Sequence, residues 1–494
     1  AVAAVPHAAA VGLLSADGVS VVTDVSGLPG ELRDVLGRAA DGSLAGLQGQ
    51  VSGVGGCAAP VRLVGRTREV DRVSGEVREV YSSAGEPDGV AVVRCGNRRA
   101  VVCPSCSVLY KGDARQIILT GLVGGSKGVP ASVCEHPALF VTFTAPSFGP
   151  VHSRRDVAGR GRRCHPRGRE GRCPHGLSRS CMVRHDADDP RLGEPICPGC
   201  YDYPAHVVFN AVASRLFKRT VDLTYRRLAG LCEVSERALR RAVRITYVRV
   251  AEMQVRGVVH FHVLVRMDGA GPPGTFEPPP AWVSLDLLEA AVGQAAGAVR
   301  LPCPDPHRRG DGSAVARWGR QVDIRRVHAG DGALSVDQVA NYIAKYATKS
   351  VTGSGVLDRP IRDRTELAGL GLRPHAQRLI RACWQLAVFS EFAALGLSRW
   401  AHSFGYGGHW LTKSRSYSTT FTTLRTTRRR YAKARRFPGG MALDAWGRPE
   451  DDEAVIVLRD WRFTGVGWRL EGDRWLALEA AARARGYDTD AAAG

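Results

Sequence analysis

The sequence predicts an α+β protein: an antiparallel sheet with helices, carrying cysteine-rich insertions. Three observations point there. Residues 243–265 read as a hairpin, "VRITYVRVAEMQ" and "VVHFHVLV" joined by the turn "VRG". Apolar residues recur at helical spacing over 204–242, 284–298 and 375–396, apart from the strand-like runs. Eight of the thirteen cysteines fall in two clusters that contain C-x-x-C knuckles.

The elements follow in order. Residues 1–55 form an Ala/Gly/Val-rich N-terminal segment. Residues 56–137 form a cysteine-rich, zinc-ribbon-like region, with short β runs at Val61–Val64 and Val90–Val93 and a helix with a connector over 107–137. Residues 138–400 form the main domain, with a cysteine-rich insertion over 160–203. It opens on the strand "LFVTFTAP" (139–146), closed by proline. Helices, the hairpin, a Pro/Gly loop (270–282), a helix (284–298) and the strand "RQVDIRRV" (320–327) come next. "SVDQVANYIAKYATKS" then begins with Ser335 and Gln338 in capping-box spacing. Residues 401–494 form a basic C-terminal region with a short strand and an Ala/Arg-rich helix. We find no fixed-period repeat.

With 494 residues and 44% hydrophobic content, the chain can bury a sizeable core. It carries 68 Lys+Arg against 48 Asp+Glu, net +20, which favours a polyanionic partner, most commonly nucleic acid. We see no secretory signal and no run of about 20 apolar residues, so no membrane partner is expected and the chain reads as cytoplasmic. Cysteines in such a compartment argue for metal rather than disulfides. There is no GxxxxGK[ST] phosphate loop, so ATP use is not expected.

The hairpin carries an unusual pair. His260 and His262 are i and i+2 on a strand and therefore share one face, while Val259, Phe261, Val263 and Val265 share the other. Two imidazoles on a rigid strand suit one divalent cation, and Glu252 or Gln254 across the turn would supply a third donor. Mg²⁺ or Mn²⁺ fits such a set, with imidazole favouring Mn²⁺. The alternative is two surface histidines.

In the capped helix, Val336, Val339, Ala340, Ile343 and Ala347 make an apolar stripe. Tyr342 and Tyr346 are i, i+4 neighbours, with Lys345 and Lys349 farther round. A tyrosine hydroxyl can attack a phosphodiester and hold the strand as a phosphotyrosine, a metal polarises the phosphate, and a lysine offsets its charge. Taken alone, the two tyrosines read as edge-of-core residues.

Cys95, Cys103 and Cys106, with Cys57 as fourth, match tetrahedral zinc spacing. Cys173, Cys181, Cys197 and Cys200 form the second set, with His175 and His185 as substitutes. Cys134, Cys164, Cys232, Cys303 and Cys383 read as unliganded thiols, Cys164 with least force because it adjoins the second set. The arginine runs 152–172 and 422–436, including Arg428, Arg429 and Arg430, are candidate DNA contacts beside Lys349. Trp400, Phe404, Tyr406, Trp410 and Tyr417 are read as packing residues rather than base-stacking ones.

Together "FVTFTAPSFGPVH" (140–152), "VHFHVLV" (259–265) and "YIAKYATK" (342–349) resemble, in order, the three motifs of the HUH endonucleases. The chain is similar to phage A-protein initiators, which alternate paired tyrosines. It resembles still more the RepSA-type initiators of actinobacterial plasmids and integrative elements, over roughly residues 55–440. "RCGNRRAVVCPSC" and "DDPRLGEPICPGCYDY" add to that resemblance. The resemblance implies a ferredoxin-like or RRM-like sheet with the metal on its face and the tyrosine helix opposite. It implies a rolling-circle initiator that nicks DNA at the double-strand origin, forms a 5′-phosphotyrosine, leaves a 3′-OH for host polymerase and rejoins strands, with single-stranded and origin DNA as its partners. His260 and His262 carry over as ligands, and Tyr342 and Tyr346 as nucleophiles, with Tyr346 favoured if one alone attacks. Unwinding then falls to a host helicase or to supercoiling. The alternatives are a non-catalytic zinc-ribbon DNA-binding regulator, and a relaxase or transposase with the same chemistry.

Overall fold

The computed structural model describes residues 27–491, except 158–159, 167–170, 273, 309–311, 328–337, 339, 342–354, 358 and 437–453. The described residues form two compact units, one drawn from 1–107 with 434–494 and the other from 108–433.

In the first unit the strand Val61–Asp71 pairs antiparallel with Val455–Val466 on one edge and with Val77–Ser82 on the other. Ala91–Val93 pairs with its first three residues. Segments read as parts of separate domains in the sequence thus share one sheet. Nothing local in either strand announces a partner almost 400 positions away. Gly65 has φ +155°, and a Cβ there would meet the Asp460 carbonyl, so this crossing needs glycine. Helices Gly30–Ala40, Leu44–Gly53 and Glu471–Ala491 bury Leu47, Val51 and Ala477. Arg38 is 5% exposed and bonds both Asp88 (2.7 Å) and Asp473 (2.9 Å), so its buried charge is matched twice.

The second unit is built on a five-stranded sheet ordered Val322–Val327, Ala138–Phe143, Val259–Gly269, Val243–Met253, Leu411–Lys413. Every neighbouring pair is antiparallel. The protein is therefore mixed α+β with antiparallel sheets, and the strands of motifs one and two lie side by side. One face of this sheet presents Phe143, Phe261, Val263 and Val265 to the helices Tyr203–Leu231 and Leu285–Ala298, through Phe217, Val212, Leu288 and Val292. The opposite face presents Phe140, Val248, Val250 and Leu264 to Ile117, Ile118 and Leu122 of the helix Pro104–Val123. Alternation along the strands produces both faces, and the whole of Val259–Gly269 is buried. A sheet covered on both sides explains why its central strand reads as almost continuously apolar. Phe404 and Tyr406 join the first core and Tyr417 the second, as their expected packing role requires.

Among the described residues, no helix is long and apolar enough to cross a membrane.

Candidate functional site

His260 and His262 lie on the second of these faces, buried with 8% and 3% exposure. The register places His260 opposite Glu252, and His262 between Thr142 and Val250. The imidazoles stand 4.8 Å apart, centre to centre. Glu252, 9% exposed, brings Oε2 to 3.0 Å from His262 Nε2, and Thr142 Oγ1 lies 3.4 Å from His262 Nδ1. Nε2 thus faces the carboxylate and Nδ1 the hydroxyl, so the tautomer with its proton on Nδ1, donated to Thr142, leaves the Nε2 lone pair facing Glu252, open to a cation. A carboxylate in this environment is costly unless paired, by His262 or by the cation. Two imidazoles and a carboxylate on one sheet face are donor types that suit a divalent cation. His262 and Glu252 are in direct contact, although the three donors are not drawn together within 4.8 Å as the cysteine groups are.

Gln254 lies beyond the strand, in the turn 254–257, where its side-chain oxygen accepts from Arg256 at 2.9 Å. Glu252 is thus the one of the two candidates that contacts a motif histidine, His262.

The turn itself is held from behind. Gly257 has φ +82°, and a Cβ there would come within 2.7 Å of Leu379. Its carbonyl accepts from His206 Nε2 (2.9 Å) and Asn210 Nδ2 (3.0 Å), and Asn210 Oδ1 accepts from Val259 N–H (3.0 Å). His375 Nε2 donates to the Arg256 carbonyl at 2.8 Å. Burial pushes His206 well below the ordinary histidine value and His375 down to about 4, so both imidazoles are neutral. Sequence reading missed this support. Its signal was the pair His206 and Asn210 at i, i+4 inside an otherwise apolar helix face.

Farther along the same sheet face, Arg266, Asp268 and His136 form a buried network. Asp268 bonds Arg266 at 2.6 Å and His136 Nδ1 at 2.8 Å.

Tyr342, Lys345, Tyr346 and Lys349 lie outside the described residues. Just before them, Ala340 is fully buried in the cluster that includes Val250, Leu264 and Phe140, and Asn341 Oδ1 accepts from Arg115 at 2.6 Å. The segment entering "YIAKYATK" is therefore anchored on the histidine face.

Three groups of cysteine and histidine, among the described residues, have donor atoms all within 4.8 Å of one another. Cys57, Cys95, Cys103 and Cys106 form the first, as their spacing predicts. Its Cys57–Cys103 and Cys57–Cys106 sulfur separations are 3.7 Å. A tetrahedral zinc with Zn–S near 2.3 Å needs edges of about 3.8 Å. Backbone N–H groups of Ala58, Cys95, Asn97 and Cys106 point at these sulfurs, which favours thiolates. Hydrogen bonds from Cys106, Cys57 and Cys95 pull the Cys103 thiol down.

The second predicted set is not one group. Cys173, Cys197 and Cys200 gather with His175, whereas Cys181 sits with His152, Cys164 and His185. Cys164 is thus not an isolated thiol. Its strand neighbour explains the regrouping: His165 bridges Cys181, which carries Cys181 away from the C-x-x-C knuckle at Cys197 and Cys200. Linear spacing could not reveal a bridge across the insertion. The donor sets fit zinc or a similar thiophilic ion.

The helix Phe421–Arg436 carries the C-terminal basic run. Arg429 and Arg430 are exposed, but Arg428 is bound to the buried Asp113, with Nη2–Oδ2 at 2.7 Å.

The class these features define is a mixed α+β protein with buried imidazoles in its central sheet, Cys/His groups that could hold metal ions and a basic surface helix. Comparison with known proteins narrows it. The family model described as "Replication initiator protein, pSAM2" (RepSA) matches residues 43–482. A "Replication initiator protein" of Streptomyces ambofaciens is 38% identical over 456 residues, covering 92% of this chain and 93% of that protein. The chain belongs to the RepSA family of replication initiators. No solved structure matches it.

Proposed function

We propose that this chain initiates rolling-circle replication by nicking and rejoining origin DNA through a tyrosine, on an HUH-type fold. The observation carrying the proposal is the single sheet face that holds His260, His262 and Glu252 and anchors Ala340, the approach to "YIAKYATK". His260, His262 and Glu252 would hold Mg²⁺ or Mn²⁺, which supplies charge neutralisation at the scissile phosphate. The phenolic oxygen of Tyr346 or Tyr342 gives up its proton, to solvent or onward to the leaving group, attacks phosphorus and forms a P–O bond. The bond from phosphorus to the 3′ oxygen breaks, and that oxygen takes a proton to become a 3′-OH. Lys345 offsets charge on the phosphate, and attack by a 3′-OH on the phosphotyrosine restores the strand. His262, oriented by Thr142, and the pinned turn keep the donors from moving, which such a site needs.

The partners in this reading are origin DNA, contacted by Lys349, Arg429 and Arg430 among others, together with a host helicase and polymerase. No ATP is consumed. Zinc in the Cys57 and Cys173 groups is structural. The same chemistry serves relaxases and transposases, but the family membership favours replication.

The test is a covalent adduct on a denaturing gel. Full-length protein with Mn²⁺ or Mg²⁺ and oligonucleotides tiled across its replicon's origin should give one. The adduct should disappear in His260→Ala and in Tyr346→Phe, Tyr342→Phe or their combination. Metal-independent binding with no adduct would instead support the zinc-ribbon DNA binder.

A further inference from the structure

The group His152, Cys164, Cys181 and His185 stands apart from the two cysteine sets that spacing suggests. Its donors come from three stretches of chain. His152 closes the arm after the motif-one strand, while Cys164 and, farther on, Cys181 and His185 lie within the insertion. Cys164 is fully buried, and Cys181 and His185 are 7% and 5% exposed. His185 Nε2 lies 3.2 Å from His152 Nδ1 and 3.4 Å from Cys181 Sγ. The Ser153 N–H donates to Cys164 Sγ at 3.2 Å, as backbone amides do to ligated thiolates.

The surroundings of His185 are more telling. Its Nδ1 lies 2.7 Å from Asp189 Oδ2, and that carboxylate is itself gripped by Arg191 at 2.8 Å. A carboxylate on Nδ1 fixes the proton there and leaves a lone pair on Nε2, aimed into the other three donors. Carboxylate–histidine–metal relays have this form. Four inward-facing soft and borderline donors, two sulfurs and two nitrogens, suit tetrahedral Zn²⁺.

We propose that His152, Cys164, Cys181 and His185 bind a third structural zinc ion, which clamps the end of the first motif to the cysteine-rich insertion. The arm is tied onward by backbone bonds, His152 N–H to the Glu194 carbonyl and Gly193 N–H to the His152 carbonyl, both 2.8 Å. Glu194 Oε2 in turn accepts from the His375 N–H at 3.2 Å, on the helix that also holds the hairpin turn. The ion would thus fix the strand end beside His262 without touching the reacting atoms.

Zinc content decides this. The full-length chain carrying His260→Ala, which removes a donor from the histidine face, should hold three zinc per chain. Adding Cys164→Ala or His185→Ala should lower this to two, and His165→Ala, whose Nδ1 lies 3.0 Å from Cys164 Sγ outside the group, should leave three. If Cys164→Ala does not fold, X-ray absorption at the zinc edge of the unsubstituted site answers alone. Three ions give nine sulfurs to three nitrogens, whereas the Cys57 and Cys173 groups alone give seven to one. Two zinc per chain with the seven-to-one ratio, or variants that keep three, would overturn the proposal.

Discussion

Glu252 is the residue on which the proposed metal chemistry turns. Its carboxylate is nearly buried, faces His260 across the hairpin and bonds His262 at 3.0 Å. Glu252→Gln keeps the shape and an accepting oxygen but removes the charge. If the carboxylate serves a cation, Mn²⁺ should be needed at roughly 10- to 100-fold higher concentration for adduct formation, with thermal stability little changed. A manganese titration of adduct yield reads this directly. An unchanged requirement would assign Glu252 a purely structural pairing with His262. Thr142 acts one step further out: Thr142→Val should raise the requirement by less, because the ring loses its orientation and no donor.

At the scale of elements, the hairpin depends on imidazoles that the motif does not contain. His206 and His375 are neutral and donate to the Gly257 and Arg256 carbonyls. His375 falls to about 4 from burial first, with the nearby Arg373, Arg378 and Arg256 adding to it and the bond to Arg256 O opposing. A depressed histidine pKa means that the unfolded chain binds the proton first. Its stabilisation is therefore complete above about pH 6.5 and is lost as pH falls toward 4, on the order of 3 kcal/mol for this group. Urea midpoints should drop between pH 7 and pH 5, and the drop should be smaller in His375→Gln. The strands, the helices and the histidine pair were legible because alternation and helical spacing are local. Asn210, His206 and Thr142 were not, since each acts on a partner distant in sequence. The same holds for Cys164 and Cys181, whose group is made by a bridge, and for the pairing of Val61–Asp71 with Val455–Val466.

At the scale of the whole molecule, a net charge of +20 ought to show as salt dependence, yet the arginines are not equivalent. In the helix Phe421–Arg436, Arg429 and Arg430 are exposed, whereas Arg428 holds Asp113, which is 4% exposed. An arginine that contacts phosphate releases a counterion, so its loss flattens the plot of log affinity against log salt by about 0.7 for single-stranded DNA. Arg429→Ala and Arg430→Ala should each lower the slope by about that amount and leave the melting temperature alone. Arg428→Ala should leave the slope nearly unchanged but strand a buried carboxylate. That costs about 1–2 kcal/mol, a figure kept modest because the guanidinium is partly in solvent. Binding isotherms at several salt concentrations, beside thermal melts of the same three variants, separate the two roles. A slope change in Arg428→Ala equal to that of its neighbours would mean that the ion pair with Asp113 opens to let the arginine reach DNA.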